Sequence, residues 1–179
     1  MKYLVISDIH GSSFYAKKIE EIYRKENPDK IILLGDLYYH GPRNDLTEEY
    51  NPKEVAQILN QYKDIVLCTK GNCDAEVDEM ISEFEFKDYI QLKINGIDFF
   101  FSHGHKYNMD YIPPVGKVVV YGHFHTGFIE EQYGMIFVNP GSISLPKNNT
   151  KHSYLIIDDT ELILKDMDGN VIDKKTYVN

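Results

Sequence analysis

Seven side chains of metal-ligating type stand in five short clusters, each following a stretch of apolar sequence. Asp8 and His10 lie in Ser7-Asp8-Ile9-His10-Gly11, Asp36 follows Gly35, and Asn72 lies in Gly71-Asn72-Cys73-Asp74. His103 lies in Ser102-His103-Gly104-His105, and His123 and His125 lie in Gly122-His123-Phe124-His125. Imidazole nitrogen, carboxylate oxygen and amide oxygen suit manganese, iron, zinc or nickel better than a soft thiolate set would. Seven ligands overfill one tetrahedral ion but fit two ions that share a carboxylate. The Asp-x-His and His-x-His spacings put both side chains on the same side of a locally extended chain. Either spacing alone is weak evidence, because such pairs arise by chance. Singly, Asp8 could cap the following helix, Asp36 and Asn72 could form turns, and His103 and His123 could be buried core histidines. Those readings leave several of the five clusters unexplained. Nothing requires His40, His105 or His152 as ligands: His152 reads as a plain surface residue, and the roles of His40 and His105 stay open.

The stretches that carry these clusters read as a mixed α/β domain. Residues 2–7 form a short apolar run ending in polar residues, a buried first strand. Ser12 or Ser13 can cap a helix running to about Lys25, with Tyr15, Ile19, Ile22 and Tyr23 on one face. Asn27-Pro28-Asp29 breaks it, and residues 30–34 form a second strand. Asn51 as N-cap, Pro52 at the first helical position and Glu54 completing a capping-box-like pattern open the next helix. Its apolar stripe is Val55, Ile58, Leu59 and Tyr62, and residues 64–69 form a third strand. This alternation predicts parallel strands with crossover helices, whose carboxyl ends share the edge where ligands bind. The second half is mainly β. Asn95-Gly96 between two apolar runs predicts a tight hairpin, and residues 118–121, 135–138, 154–157 and 162–164 are further strands. With no repeat, low-complexity tract or linker, a single domain over 1–179 is expected.

At 179 residues and 42% hydrophobic, the chain can bury a substantial core. No apolar run is long enough to cross a bilayer, and the first residues lack the pattern of a signal peptide. Two cysteines, Cys68 and Cys73, make no disulfide framework, so a cytoplasmic location is expected. The net charge of −9 repels nucleic-acid backbones and anionic membranes. An anionic small molecule remains acceptable where a local cation overrides that field.

The series Asp8-x-His10, Gly35-Asp36, Gly71-Asn72, His103 and Gly122-His123-x-His125 resembles the calcineurin-like metallophosphoesterase superfamily. The stretches His40-Gly41-Pro42-Arg43-Asn44, residues 71–78 and Asn139-Pro140-Gly141-Ser142 make it similar to the bacterial YfcE-type phosphodiesterase branch, along nearly the whole chain. The resemblance implies a four-layer α/β/β/α sandwich with a dinuclear centre. It implies that Asp8, His10 and His125 hold one metal, that Asn72, His103 and His123 hold the other, and that Asp36 bridges them. Manganese is the first expectation for both ions. Two such ions would lower the pKa of a bridging water and clamp the phosphoryl oxygens of a small phosphodiester. Their four positive charges against two carboxylates leave roughly +2 locally, enough to capture a phosphate.

Arg43 and Asn44, in the loop after Asp36, either contact substrate or brace the loop. Many members of the superfamily have a histidine directly after the metal-binding asparagine, where it protonates the leaving group. Here that residue is Cys73, a poor substitute for imidazole, read as a small filler beside the substrate. A protein-binding scaffold like the superfamily's retromer subunit is a second reading, opposed by the full set of ligands. A nuclease is a third, opposed by the charge and the absence of a basic patch. Fourteen tyrosines are compatible with a homo-oligomer.

Overall fold

Every residue of the first strand, β1 (Tyr3–Ile6), is buried, as a strand covered on both faces requires. In the computed structural model, which describes residues 1–178, Leu4 and Ile6 face a helical layer while Tyr3 and Val5 face a second sheet. The helices are α1 (Ser13–Glu26) and α2 (Pro52–Asn60). The side chain of Ser12 accepts from Tyr15 N at the start of α1, and Asn27 closes it in the left-handed region at φ 47°. Asn51 caps α2 by accepting from Glu54 N at 3.2 Å, with Pro52 in its first turn. Both starts are those read from the sequence.

Crossovers through these helices make β1, β2 (Lys30–Leu33) and β3 (Val66–Thr69) parallel neighbours. After the short α3 (Glu76–Ile81), β4 (Phe86–Lys87) extends the sheet beyond β3. Three later strands complete it on the other side: β10 (Ser153–Ile157), β11 (Glu161–Asp166) and β12 (Val171–Thr176). The seven-stranded order is β12-β11-β10-β1-β2-β3-β4. The second sheet uses β5 (Tyr89–Ile94), β6 (Ile97–Ser102), β7 (Val118–Tyr121), β8 (Gly127–Gln132) and β9 (Met135–Pro140). Its order is β5-β6-β7-β9-β8, with β6, β7 and β9 mutually parallel. The β5–β6 hairpin turns at Asn95-Gly96 as expected, both residues at positive φ (48° and 79°), the signature of a primed turn.

Between the sheets lies an apolar layer in which Val5, Ile32 and Leu155 meet Phe99, Phe101 and Val120. Truncating a ring such as Phe101 there is expected to cost about 3–5 kcal/mol. The expected two-sheet sandwich is therefore in place. Its outermost layer over the second sheet is irregular chain, residues 103–117, covering Phe100, Val119, Tyr121 and Phe137 with Tyr107 and Met109. Pro113, Pro114 and the positive-φ residues Gly104 and Gly116 suit that segment to coil rather than helix.

The parallel strands of both sheets run the same way in the sandwich. The carboxyl ends of β1, β2, β3, β6 and β7 accordingly meet at one edge, and all seven candidate ligands lie in the loops just beyond them.

Candidate metal centre

The backbone at this edge is unusual. Asp8, His10, Asp36, His123 and His125 all have positive φ, from 49° to 67°. An L-residue with a side chain enters this left-handed region at a cost of roughly 1–2 kcal/mol. The extended Asp-x-His and His-x-His geometry expected from the sequence is thus corrected. The side chains converge because the chain turns sharply at each ligand, which aims them back into the cleft between the sheets.

Three histidines are fixed in one tautomer by backbone carbonyls. His10 Nδ1 lies 2.7 Å from Tyr39 O, His103 Nδ1 2.7 Å from Leu34 O, and His125 Nδ1 2.7 Å from Leu145 O. A carbonyl can only accept, so each Nδ1 carries a proton and it is Nε2 that points inward, where it offers a lone pair once free of its own proton. Asp8 is held by Ser7 Oγ, which donates to Oδ2 at 2.6 Å, and by His123 N at 3.0 Å. Ser142 Oγ and Ser144 Oγ both donate to its carbonyl, at 2.7 and 2.9 Å. Asp36 Oδ1 accepts Cys73 N at 2.8 Å. Asp74 in turn accepts Asp36 N, Leu37 N and Gly71 N at 2.7–2.9 Å, locking the loops after β2 and β3 together.

The inward atoms form two groups joined by one carboxylate. Asp8 Oδ1 is 3.3 Å from His125 Nε2 and 3.6 Å from His10 Nε2. Asp36 Oδ2 is 3.3 Å from His103 Nε2 and 3.7 Å from His10 Nε2. Asn72 Oδ1 lies 3.0 Å from His103 Nε2, and His123 Nδ1 lies 3.3 Å from the same nitrogen. Within each of the sets Asp8–His10–His125 and Asp36–His103–His123, the ligand atoms all fall within 4.8 Å of one another.

These contacts fit cations. Asp8 Oδ1 is a buried carboxylate oxygen with no hydrogen-bond donor. His10 Nε2 and His125 Nε2 stand 3.2 Å apart with both Nδ1 protons already committed, so two lone pairs face each other. A shared divalent ion satisfies all three atoms at once.

The titration behaviour has the same origin. Burial alone would push Asp8 up, but His10 and His125 outweigh it and hold the carboxyl well below its ordinary range. Burial likewise opposes ionisation of Asp36, and His103 overrides it, so Asp36 is lowered too. Burial lowers His103, yet Asp36 and Asp8 raise it to about 9. His123, desolvated and facing a charged His103, is pushed down to about 4. A pocket that draws protons onto a buried imidazole has the negative potential that attracts metal cations.

A cavity of about 360 Å³ opens onto these residues, lined among others by Tyr39, Arg43, Asn44, Cys73 and Lys147. Arg43 is exposed in it, whereas Asn44 Nδ2 donates to His40 O at 2.7 Å and so braces its own loop. Cys73 is half-buried with its Sγ 3.4 Å from Asn72 Nδ2, and burial followed by the charge of Asp36 pushes its thiol up to about 12. It is a neutral thiol at physiological pH, consistent with a filler. Cys68 is buried and Cys73 is free, with no disulfide between them.

The other three histidines stand apart from this cavity. His40 is half-buried, Nδ1 donating to Asn44 O at 3.1 Å, and His105 is exposed with its ring 6.3 Å from that of His123. His152, expected as a plain surface residue, is instead half-buried. It stacks on Tyr15 at 4.5 Å, and its Nδ1 donates to Ile143 O at 2.9 Å. Sequence reasoning missed Lys147 and the carbonyls of Leu34, Tyr39 and Leu145. A backbone carbonyl leaves no trace in residue type, and Lys147 is one lysine in a polar loop.

Fold and site together define a metallophosphoesterase. A family model described as the calcineurin-like phosphoesterase superfamily domain matches residues 1–161, and the chain belongs to that superfamily. Membership carries with it the use of divalent metal. Among its relatives is Phosphodiesterase YfcE of Escherichia coli strain K12, 34% identical over 182 residues that cover all of this chain and 99% of the relative. The solved structure of the E. coli protein, described as a phosphoesterase, matches with a TM-score of 0.96 at 33% identity, covering 99% of this chain and 100% of that one. Wild-type Vps29 of Entamoeba histolytica, solved in complex with Zn²⁺, matches with a TM-score of 0.64 at 20% identity over 99% of this chain and 100% of the other. That last likeness shows the fold alone.

Proposed function

We propose that the chain is a metal-dependent phosphodiesterase acting on a small molecule, with Asp8, His10 and His125 holding one divalent ion, Asn72, His103 and His123 a second, and Asp36 both. The observation that carries this reading is the position of Asp36, whose Oδ2 faces His10 on one side and His103 on the other. The resemblance to the E. coli phosphodiesterase over the full chain supports the choice of a diester. When bound, the ions supply Lewis acidity toward phosphoryl oxygens and a water acidic enough to act as nucleophile near neutral pH.

The protein's own part is positional. The Nδ1–carbonyl bonds of His10, His103 and His125 keep three lone pairs aimed inward without reorganisation at the moment of reaction. The Ser7, Ser142 and Ser144 hydroxyls fix Asp8, and the amide of Cys73 fixes Asp36. Asn72 spends its amide Nδ2 on Cys73 Sγ and so turns its oxygen to the centre. Manganese is the proposed ion, and the cytoplasm the proposed compartment. Among the described residues, no helix is long and apolar enough to cross a membrane.

The test is reconstitution of chelated protein with manganese, iron, zinc or nickel, elemental analysis, and a screen of aryl phosphodiesters against the matching monoesters. Two ions per chain and a higher kcat/KM for the diester are expected. A stable stoichiometry of one removes the shared-carboxylate part. A monoester preferred by about tenfold, roughly 1.4 kcal/mol of transition-state binding, overturns the assignment.

A further inference from the structure

We propose that Arg43 and Lys147 form a second anion subsite at the mouth of the metal centre, and that the substrate is a small phosphodiester carrying a further anionic group, phosphate or carboxylate, away from the scissile bond. The inference rests on the phosphodiesterase reading and deepens it.

The first support is what the rest of the surface does with its cations. The chain has 19 basic residues against 28 acidic ones. Thirteen of them sit within 4 Å of a carboxylate, from Lys2–Glu26 to Lys175–Glu131. Lys25, Lys30 and Lys117 donate to backbone carbonyls. Among the described residues this leaves Arg43, Lys53 and Lys147 with neither kind of partner. Lys53 is on the exposed first turn of α2, and the other two line the same cavity. In so acidic a protein, two unneutralised cations facing one pocket set a local field opposed to the global one.

The second support is how they are mounted. Lys147 N donates to His125 O at 2.9 Å, so its backbone is tied directly to a candidate ligand. Arg43 stands in the loop that Asn44 and His40 brace through two hydrogen bonds. Both cations therefore have fixed anchors and uncommitted charged ends. They come from different loops, after β9 and after β2, so one ligand group can be held from two directions. A guanidinium and an ammonium together suit a phosphate or carboxylate. The single charge of a diester's phosphoryl group would be met by the ions of the proposed centre, which would leave these two cations for another anion. A cavity of about 360 Å³ is at the small end of ligand sites and has room for a compact substrate rather than a polymer.

The experiment uses manganese-reconstituted full-length protein and three p-nitrophenyl diesters whose other ester group is ethyl, 2-carboxyethyl or 2-phosphoethyl. One or both doubly functional esters should exceed the ethyl ester about tenfold in kcat/KM, chiefly through KM, and the two arms tell carboxylate from phosphate. The preference should shrink as salt rises from about 50 to about 500 mM. Lys147→Gln and Arg43→Gln should each cut the preference about fivefold, while Lys147→Arg retains it. No preference in the parent protein overturns the proposal. So does an equal loss on all three esters in Lys147→Gln, which would assign the cations to the scissile phosphate itself. If none of the diesters turns over with metal present, the phosphodiesterase reading beneath the proposal fails instead.

Discussion

The two ends of the sandwich solve the same problem with different residues. At the end opposite the metal centre, the chain reverses through left-handed positions at Asn27, Asn95-Gly96 and Tyr133-Gly134. Asparagine and glycine enter that region easily, and added atoms at Gly96 and Gly134 would meet nothing within 4 Å. At the centre's end, Asp8, His10, Asp36, His123 and His125 take left-handed positions alongside glycines such as Gly11 and Gly35, and these five are buried or nearly so. Here the glycines are set by crowding. A Cβ on Gly122 would overlap Ser7 Oγ and crowd Asp8 Oδ2, and one on Gly71 would overlap Asp36 Oδ1. One end is built for cheap turns, the other for side chains that must point inward whatever the backbone costs. Apart from Tyr133, the side chains other than asparagine that are forced into the left-handed region gather at the centre's edge, which marks where stability has been exchanged for function.

The largest effect that sharpens this contrast should come from Asp36→Asn. It keeps the shape and the left-handed preference but removes the charge between the two ligand groups. Activity should fall about 10³-fold, and bound metal should drop below two ions per chain. Thermal unfolding in chelator should shift down, since His103 loses its buried carboxylate partner although no packing is lost, so activity is read on protein shown to be folded. Retained activity would mean that Asp36 is merely a turn residue, like its counterparts at the far end.

Next in size is a matched pair of glycine substitutions. Gly122→Ala removes no ligand, yet it displaces Ser7 and Asp8, and a misplacement of that scale costs about 10²-fold in rate. Gly134→Ala should cost about 1 kcal/mol of stability through its positive φ (70°) and leave activity intact. Equal effects of the two on kcat and on unfolding would erase the distinction between the ends.

A smaller change is expected at Cys73, where the thiol cannot replace imidazole as a proton donor. The rate of the parent protein should fall steeply as leaving-group pKa rises. Cys73→His should raise rates on alkyl leaving groups about tenfold or more, within the reach of general acid catalysis, and aryl groups less. Shallow, parallel free-energy plots for both proteins would place the acid elsewhere.

The smallest effect concerns pH at the regular end. Burial tends to raise the carboxyl of Asp158, but the backbone N–H groups of Thr160 and Glu161 outweigh it and keep it below its ordinary range. A carboxyl depressed on folding contributes stability that is full above its unfolded pKa and is lost as pH falls through the folded one. Asp158→Asn should therefore flatten the acid limb of the stability curve below the ordinary carboxylate range and leave neutral-pH activity untouched. An unchanged acid limb would show that the Asp158 turn stores nothing.

Much of this was legible in the sequence. The five ligand clusters stood out because polar residues interrupt apolar runs where a strand would otherwise continue, and the starts of α1 and α2 carried explicit caps. The Asn95-Gly96 turn was equally plain. Other features lacked a local signal. β12 reads Val-Ile-Asp-Lys-Lys-Thr, is largely exposed, and shows no alternation that would mark a strand. β8 begins at a glycine on a sheet edge, and β4 has only two residues. The left-handed ligand geometry was also hidden, since Asp and His in a sequence give no warning of positive φ. It follows from the tertiary requirement that side chains from two sheets meet.

That division between sheets has a thermodynamic consequence. Asp8, His10, Asp36 and Asn72 belong to the first sheet, and His103, His123 and His125 to the second. Ions held by the proposed ligand set would act as rivets across the interface, and the chain could not then separate its halves without releasing them. By mass action, each tenfold rise in free ion above its dissociation constant should add about 1.4 kcal/mol per site to the folded state. The melting temperature should climb with manganese concentration and collapse to a fixed floor in excess chelator. A melting temperature indifferent to the ion would mean that the halves are joined by their apolar layer alone. With the proposed ions in place, a melting temperature that follows the ion would tie how long the protein survives, as well as how fast it works, to the metal supply around it.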